Sequence, residues 1–190
     1  MAEDDSLLRL AQTWEPDFVL LSSGEAGLTV EGGVVCFPTA WSLREKLGRS
    51  LFATHGPVPG LNVELAARID TALHKLPTGT SWERSNWGLA GSPDLNRHPL
   101  RNLPALSASD SLDRVWFRAE RQILFKLPQT DGILFGIRII TSPLREVLAD
   151  TSERAALQRQ LASMSDDVAS YKALTAIRPQ ILRWIAEFPS

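Results

Sequence analysis

Three histidines are the residues of this sequence best suited to hold a metal ion. His55 opens the segment His55–Gly60, in which two prolines fix the backbone and two glycines permit close approach. A stiff loop of this kind could hold an imidazole as a metal ligand or as the axial ligand of heme. In heme the porphyrin itself supplies the equatorial ligands of the iron. A turn histidine bonded to the backbone is the alternative. His74 lies beside an apolar helical stripe and His98 in an irregular polar segment, so we expect both at the surface.

A second candidate site combines arginines, amides and a carboxylate. Arg84 and Asn86 stand between two tryptophans, and a guanidinium with an amide suits a ligand that carries a carboxylate. The alternative is a solvated Glu83–Arg84 pair on a short strand. A further polar set, Arg118, Glu120, Gln122 and Arg138, follows one face of a predicted hairpin and could meet across its two strands.

That hairpin is Val115–Ile140, and the rest of the chain is organised around it. Apolar and polar residues alternate on both sides of Pro128–Gly132, which has the composition of a turn. We therefore predict two adjacent antiparallel strands. Their apolar face is expected to bury Phe117, Phe125, Phe135 and Ile137. The register is expected to bring Arg138 to the face that carries Arg118, Glu120 and Gln122.

The flanking segments predict further strands and helices. Gly27–Pro38 has the pattern of another hairpin, with its turn at Glu31-Gly32-Gly33 and with Cys36 buried in a strand. Helices are predicted over Trp41–Leu51, Asn62–Leu76, residues 143–149 and the C-terminal segment, with breaks. Together these elements predict an α+β fold. We expect one domain over residues 1–150 and C-terminal helices, residues 151–190, that pack on it.

Composition excludes several classes of protein. The net charge of −2 with mixed signs does not favour a nucleic-acid partner or a polybasic membrane surface. A single cysteine excludes an internal disulfide framework, and no apolar run reaches the roughly 20 residues that span a bilayer. No secretory pattern opens the sequence, so a cytoplasmic setting is expected.

Three short motifs carry a resemblance to a known family. The first is Phe37–Leu43, continued by Lys46–Gly48 and His55–Pro59; the second is Arg84–Trp87. The third is Arg118–Gln122, followed by Leu127-Pro128 and Phe135–Arg138. In this order and spacing they resemble the heme-dependent oxidative N-demethylases, whose members include heme subunits of bacterial dimethylamine monooxygenases. The resemblance covers roughly residues 16–148.

The resemblance implies a fold, a cofactor and a reaction. It implies a PAS-like antiparallel sheet that binds heme b, and oxidative removal of N-methyl groups from small secondary amines with dioxygen. His55 matches the family's histidine before Pro-Val-Pro and would be the axial ligand. Arg84, Arg118 and Arg138 match positions that could pair with the heme propionates. Glu120 would hold a small ammonium substrate or orient Arg138, and a cross-strand Glu–Arg pair is the alternative.

The same resemblance leaves open whether the chain is an enzyme. No segment resembles a flavin or iron–sulfur module, so electrons would come from a flavin/iron–sulfur protein on a separate chain. Ile123 and Phe125-Lys126 stand where the family more often has Thr and an Arg pair. The alternative functions are a non-catalytic PAS-like sensor or carrier of heme or a small ligand, and a structural relative without heme.

Overall fold

The computed structural model describes residues 5–24, 27–55 and 66–189. Its strands are β1 (Asp17–Gly24), β2 (Gly27–Val34), β3 (Ser81–Ala90), β4 (Trp116–Lys126) and β5 (Ile133–Pro143). Its α-helices are α1 (Asp5–Thr13), α2 (Leu51–His55), α3 (Ala66–His74), α4 (Leu144–Ala149), α5 (Thr151–Ser163), α6 (Asp166–Tyr171) and α7 (Arg178–Glu187). Short 3-10 helices cover Leu43–Glu45, Pro99–Arg101 and Leu112–Arg114.

The five strands form one antiparallel sheet in the order β2-β1-β5-β4-β3. Strands β4 and β5 are neighbours, as the alternation of Val115–Ile140 predicts, and β1 pairs with β5 from Asp17↔Ile137 to Leu21↔Ile133. The predicted PAS-like α+β fold, with flanking helices and a C-terminal helical segment, is confirmed.

The hairpin predicted within Gly27–Pro38 is wrong. Strand β2 runs through Glu31-Gly32-Gly33, and it pairs antiparallel with β1 from Phe18↔Val34 to Gly24↔Gly27. Gly33 has a φ of +147°, and a Cβ there would lie 2.2 Å from the carbonyl oxygen of Phe18. Gly33 is therefore needed because two strands approach closely at this point, and not because the chain turns. The pairing of these two strands also shifts register nearby, between Leu20 and Leu21. Cys36 follows the strand and is exposed, so its predicted burial is also wrong.

The helix predicted over Trp41–Leu51 is wrong as well. Only the 3-10 turn Leu43–Glu45 forms, and α2 begins at Leu51. The chain leaves the helical path at Gly48, which has a φ of +71°. The Gly48 N–H donates to the Val30 carbonyl, and the Val30 N–H donates to the Arg49 carbonyl. Pairing with β2 thus replaces the hydrogen bonds of a continuous helix.

The described chain divides into two compact units. Unit 1 comprises the described residues of Met1–Asn86, with Asn96–Arg101 and Glu120–Ile139. Its buried core is formed by side chains from β1, β2, α3 and β5: Val19, Leu21, Leu28, Val30, Leu73 and Ile133. Leu124 and Phe135 pack against this core. Burial of each such aliphatic side chain stabilises the fold by about 2 kcal/mol.

Unit 2 comprises Trp87–Leu95, Asn102–Ala119 and Ile140–Ser190, of which residues up to 189 are described. Helix α5 begins at an N-cap, because the Asp150 carboxylate accepts the N–H groups of Ser152 and Glu153. The Ser152 hydroxyl donates to the same carboxylate, and its hydrogen bond, followed by the two from the backbone, lowers the pKa of Asp150. The helix then buries Leu157 and Leu161 in a core with residues from α4, from α7, from the segment between α6 and α7, and with Val115 just before β4. No helix among the described residues is long and apolar enough to cross a membrane.

The burial predicted for the central hairpin is only partly correct. Ile137 is buried, but Phe117, Phe125 and Phe135 are half-buried. The buried positions of β4 are instead polar: Arg118, Gln122 and Lys126. The alternation of apolar and polar residues correctly predicts strands here. It does not reveal which polar side chains are buried, because their burial depends on hydrogen bonds to polar partners elsewhere in the fold.

Candidate functional site

The Glu120 carboxylate is the centre of a hydrogen-bond network in unit 1. Its Oε1 accepts the hydroxyl of Thr39 at 2.5 Å. Its Oε2 accepts the side-chain amide of Gln122 at 2.8 Å and that of Asn86 at 3.4 Å. All of these donors are neutral, and among the described residues Glu120 forms no direct salt bridge.

The network continues through Gln122 to Arg84. The Nε of Arg84 donates to the Oε1 of Gln122 at 2.7 Å. Desolvation lowers the pKa of Arg84, and the nearby Glu120 carboxylate acts in the opposite direction. Because part of Arg84 still reaches solvent, it stays a cation, and its terminal nitrogens offer further N–H donors to an anionic group.

The two neighbouring strands β3 and β4 supply most of this network. In each strand the participating residues are two positions apart, Arg84 and Asn86 in one, Glu120 and Gln122 in the other. Residues so spaced point to the same face of a strand, and side chains on adjacent strands then meet.

Thr39 comes from a separate loop that is anchored by backbone hydrogen bonds. The Arg97 N–H donates to the Pro38 carbonyl at 2.9 Å, and the Ala40 N–H donates to the Arg97 carbonyl at 3.1 Å. These bonds form a parallel bridge between Thr39 and Arg97. Ala40 has a φ of +57°, which is uncommon for a residue other than glycine. The loop thus directs the Thr39 hydroxyl toward Glu120 through a strained backbone.

The network joins residues from all three sequence motifs: Thr39 from the first, Arg84 and Asn86 from the second, Glu120 and Gln122 from the third. Sequence reasoning gave Thr39 no role at the site, and it placed Gln122 on the polar face of the hairpin without assigning it a function. Their presence inside the motifs was the signal that could have found them.

Arg138 does not join this network, so its predicted convergence with Glu120 and Gln122 is wrong. Its Nη2 lies 2.9 Å from Oε1 of Glu15, in a pair whose side chains are 49% and 70% exposed. Because Ile123 of β4 faces Gly136 of β5, the alternation of side chains places Arg138 on the face opposite Glu120. Sequence spacing could not show this, because the parity of one strand relative to its neighbour depends on the register of the turn.

Arg118 belongs to unit 2, where it is 2% exposed. Its Nη1 lies 3.4 Å from the carbonyl oxygen of Asp94, a long hydrogen bond. Its proposed pairing with a propionate stays a prediction.

The histidines differ in what the structure describes. The backbone of His55 ends α2, while its side chain and residues 56–65 lie outside the described part, so its role as axial ligand stays a prediction. His74 ends α3 and is exposed, as expected. His98 is half-buried rather than exposed, and its Nδ1 accepts the Leu100 N–H at 3.2 Å.

A cleft of about 460 Å³ lies elsewhere in unit 1, where α1 meets β1. It is lined by Trp14, Glu15, Asp17, Cys36 and Phe37 among others, and it does not include Glu120. Asp17 is 5% exposed, and its carboxylate accepts the N–H groups of Cys36 and Phe37. Desolvation, then the Asp17 charge, raise the pKa of the Cys36 thiol, which makes it a poor nucleophile.

No group of three or more His, Cys, Asp or Glu side chains suited to a metal ion occurs among the described residues.

A comparison with protein families matches almost the whole chain. The family described as haem-dependent oxidative N-demethylase, alpha subunit-like, matches residues 2–182. This range contains the Thr39–Glu120–Gln122–Arg84 network and every motif that carried the resemblance. On this match the chain belongs to the haem-dependent oxidative N-demethylase, alpha subunit-like family.

Proposed function

We propose that the chain is the heme-binding subunit of an oxidative N-demethylase. It removes an N-methyl group from a small secondary amine with dioxygen, and a flavin/iron–sulfur protein on a separate chain supplies electrons. The observation that carries the proposal is the meeting of three family motifs in one network around Glu120. Heme b supplies the oxidation chemistry when bound, and the protein orients the reactants.

The donor set near Glu120 fits a cofactor that carries carboxylates. Arg84 keeps N–H donors on its terminal nitrogens after its Nε bonds Gln122. Asn86, close to the same carboxylate, is an amide that can also bind a propionate. We assign Arg84 and Asn86 to the propionates, Arg118 to a further contact of the same kind, and His55 to the iron. Arg138 is left out of this set because it pairs with Glu15.

Glu120 is suited to hold the protonated amine. The groups that donate to it, a hydroxyl and two amides, are neutral, so they orient the carboxylate without cancelling its charge. A secondary ammonium has two N–H donors, and a hydrogen bond between two ions is stronger than one between neutral groups. The role of Glu120 is therefore to fix the amine nitrogen, and with it the N-methyl group, at a defined place.

An optical spectrum after expression with heme supply tests the cofactor. We expect a Soret band in the wild type, and loss of heme or a shifted band in His55→Ala. His74→Ala and His98→Ala are matched controls that should keep the wild-type spectrum. Unchanged heme content and an unchanged band in folded His55→Ala would contradict the assignment of the axial ligand.

Formaldehyde release tests the reaction. With dimethylamine, dioxygen and a reductant, the heme-loaded wild type should release formaldehyde, and Glu120→Gln should raise KM because an amide lacks the negative charge. Heme binding without any formaldehyde would favour the non-catalytic sensor or carrier instead. Absence of heme in the wild type would reject the demethylase and a heme sensor or carrier, and it would favour a small-ligand module or a structural relative without heme.

A further inference from the structure

Gln122 lies between the two opposite charges of the candidate site. It is 6% exposed, and both polar atoms of its amide are used. The Oε1 accepts from Arg84 at 2.7 Å, and the Nε2 donates to Glu120 at 2.8 Å. A carbonyl facing the cation and an NH₂ facing the anion is the one orientation of the amide that satisfies both neighbours.

The amide keeps the two charges from pairing directly. Arg84 and Glu120 interact electrostatically, but they share no hydrogen bond or salt bridge. In a direct bidentate pair, each ion would use its strongest bonding directions on the other. Here each ion gives Gln122 one bond and keeps other donor or acceptor directions for a ligand.

We propose that Gln122 is a positioning residue that holds Arg84 and Glu120 apart as two separately usable charges. The site then takes an anionic group at Arg84 and a cationic group at Glu120 at the same time. That these groups are a heme propionate and a secondary ammonium rests on the proposed function; the spacing role of Gln122 does not.

Other side chains at position 122 would not do this. Glutamate keeps the bond from Arg84, but it places a second carboxylate at hydrogen-bond distance from Glu120, and such a pair retains a proton. Methionine has a similar length and gives neither bond. Thr39 and Asn86 also donate to Glu120, so Gln122 is distinguished by its link to the cation and not by its bond to the anion alone.

The first test uses protein without heme. In NMR spectra recorded at neutral pH, the side-chain NH₂ signal of Gln122, identified by its loss in Gln122→Met, should lie away from the shift of an exposed glutamine. The reason is that Nε2 donates to the Glu120 carboxylate while Oε1 accepts from the Arg84 cation. In Glu120→Gln the signal should move back toward the shift of an exposed glutamine. A wild-type signal already at that shift would overturn the proposal.

The second test asks whether position 122 faces Glu120 in a variant. Gln122→Glu should lose thermal stability between about pH 5 and pH 8, because the carboxyl pair holds a proton in the folded state more tightly than in the unfolded one. Gln158→Glu adds the same charge at an exposed position of α5 and should show no such loss. Equal pH profiles for the two variants would count against the proposal.

The third test concerns ligand binding. In heme-loaded protein, Gln122→Met should bind dimethylammonium about tenfold more weakly than the wild type, as expected for the loss of one hydrogen bond to a charged group. Wild-type affinity in Gln122→Met would show that the amide does not position Glu120. If the wild type binds no heme, the proposed function fails, while the NMR comparison of the wild type with Glu120→Gln still decides the role of Gln122.

Discussion

The side chain of Ile123 lies over Gly136, and this contact fixes which residues of β4 and β5 share a face of the sheet. A Cβ built on Gly136 would lie 2.8 Å from Cγ2 of Ile123. Because residues two apart in a strand share a face, Arg138 lies on the face of Gly136 and Ile123. Glu120 is three positions from Ile123 and therefore points to the other face. Leu124 agrees, since it packs with Phe135 against the core of unit 1.

Gly136→Ala should therefore lower the free energy of unfolding by about 1–3 kcal/mol, the range for overpacking a tight site. The clash is with a methyl group that Ile123→Ala removes. Gly136→Ala should accordingly cost less in an Ile123→Ala background, with a coupling of about 1 kcal/mol or more in a double-mutant cycle measured by chemical denaturation. Strictly additive effects would show that the two residues do not face each other.

Arg138→Ala tests the consequence for the site. The Arg138–Glu15 pair is exposed, so its loss should change stability by less than about 1 kcal/mol. Heme content should stay at the wild-type level, while Arg84→Ala should lower it because Arg84 lies in the Glu120 network. Arg145→Ala, which removes a similarly exposed pair with Asp113, is the matched control. Loss of heme in Arg138→Ala alone would return Arg138 to the site.

The sequence was most informative where one physical rule dominates. Alternation in Val115–Ile140 predicted two adjacent strands, and helical periodicity predicted the C-terminal helices, one of which buries Leu157 and Leu161. These predictions depend only on which side of an element meets a core, and that is written in a local pattern.

The errors concern tertiary pairing, which no local pattern contains. The glycines around Gly33 suggested a turn, but glycine is needed there because a Cβ would collide with the backbone carbonyl of Phe18. Trp41–Leu51 has helical spacing, but hydrogen bonds to Val30 draw the chain away from a helical path at Gly48. The bond of Thr39 to Glu120 joins residues 81 positions apart, and only the assembled strands and the loop at Arg97 bring them together.

The turn between β4 and β5 predicts an acid-dependent contribution to stability. Lys126 has a side chain that is 4% exposed, and its Nζ lies 2.5 Å from Oδ1 of Asp131. The hydrogen bond from Lys126, followed by the hydrogen bond from Ser23, lowers the pKa of the Asp131 carboxyl. The folded state thus binds this proton less tightly than the unfolded state does. The contribution is complete above the unfolded carboxyl pKa of about 3.9 and is lost as the pH falls through the folded value.

Thermal unfolding of Asp131→Asn and the wild type over a range of pH checks this sign. The wild type should be the more stable protein near neutral pH, and its advantage should shrink below about pH 4, where Asp131 becomes protonated. Asp167→Asn, at an exposed position of α6, is the control for a lost carboxylate. An advantage of the wild type that grows on acidification would contradict the assigned direction.

Ala40→Gly tests whether the loop that carries Thr39 is strained. A non-glycine residue at a φ of +57° costs about 1–2 kcal/mol, which glycine avoids. Glycine loses about 0.5–1 kcal/mol through the extra freedom of the unfolded chain. The variant should therefore be as stable as the wild type or more stable by up to about 1.5 kcal/mol.

Ala156→Gly, inside α5, gives the matched comparison and should lose about 1 kcal/mol, because its backbone is helical and gains nothing from glycine. Equal losses in the two variants by chemical denaturation would show that Ala40 does not hold the left-handed conformation. Ala40→Val should destabilise more than Ala40→Gly, since a branched Cβ is least compatible with positive φ. If the strained turn directs the Thr39 hydroxyl to Glu120, Ala40→Val should also weaken amine binding as Thr39→Val does, while Thr39→Ser keeps it.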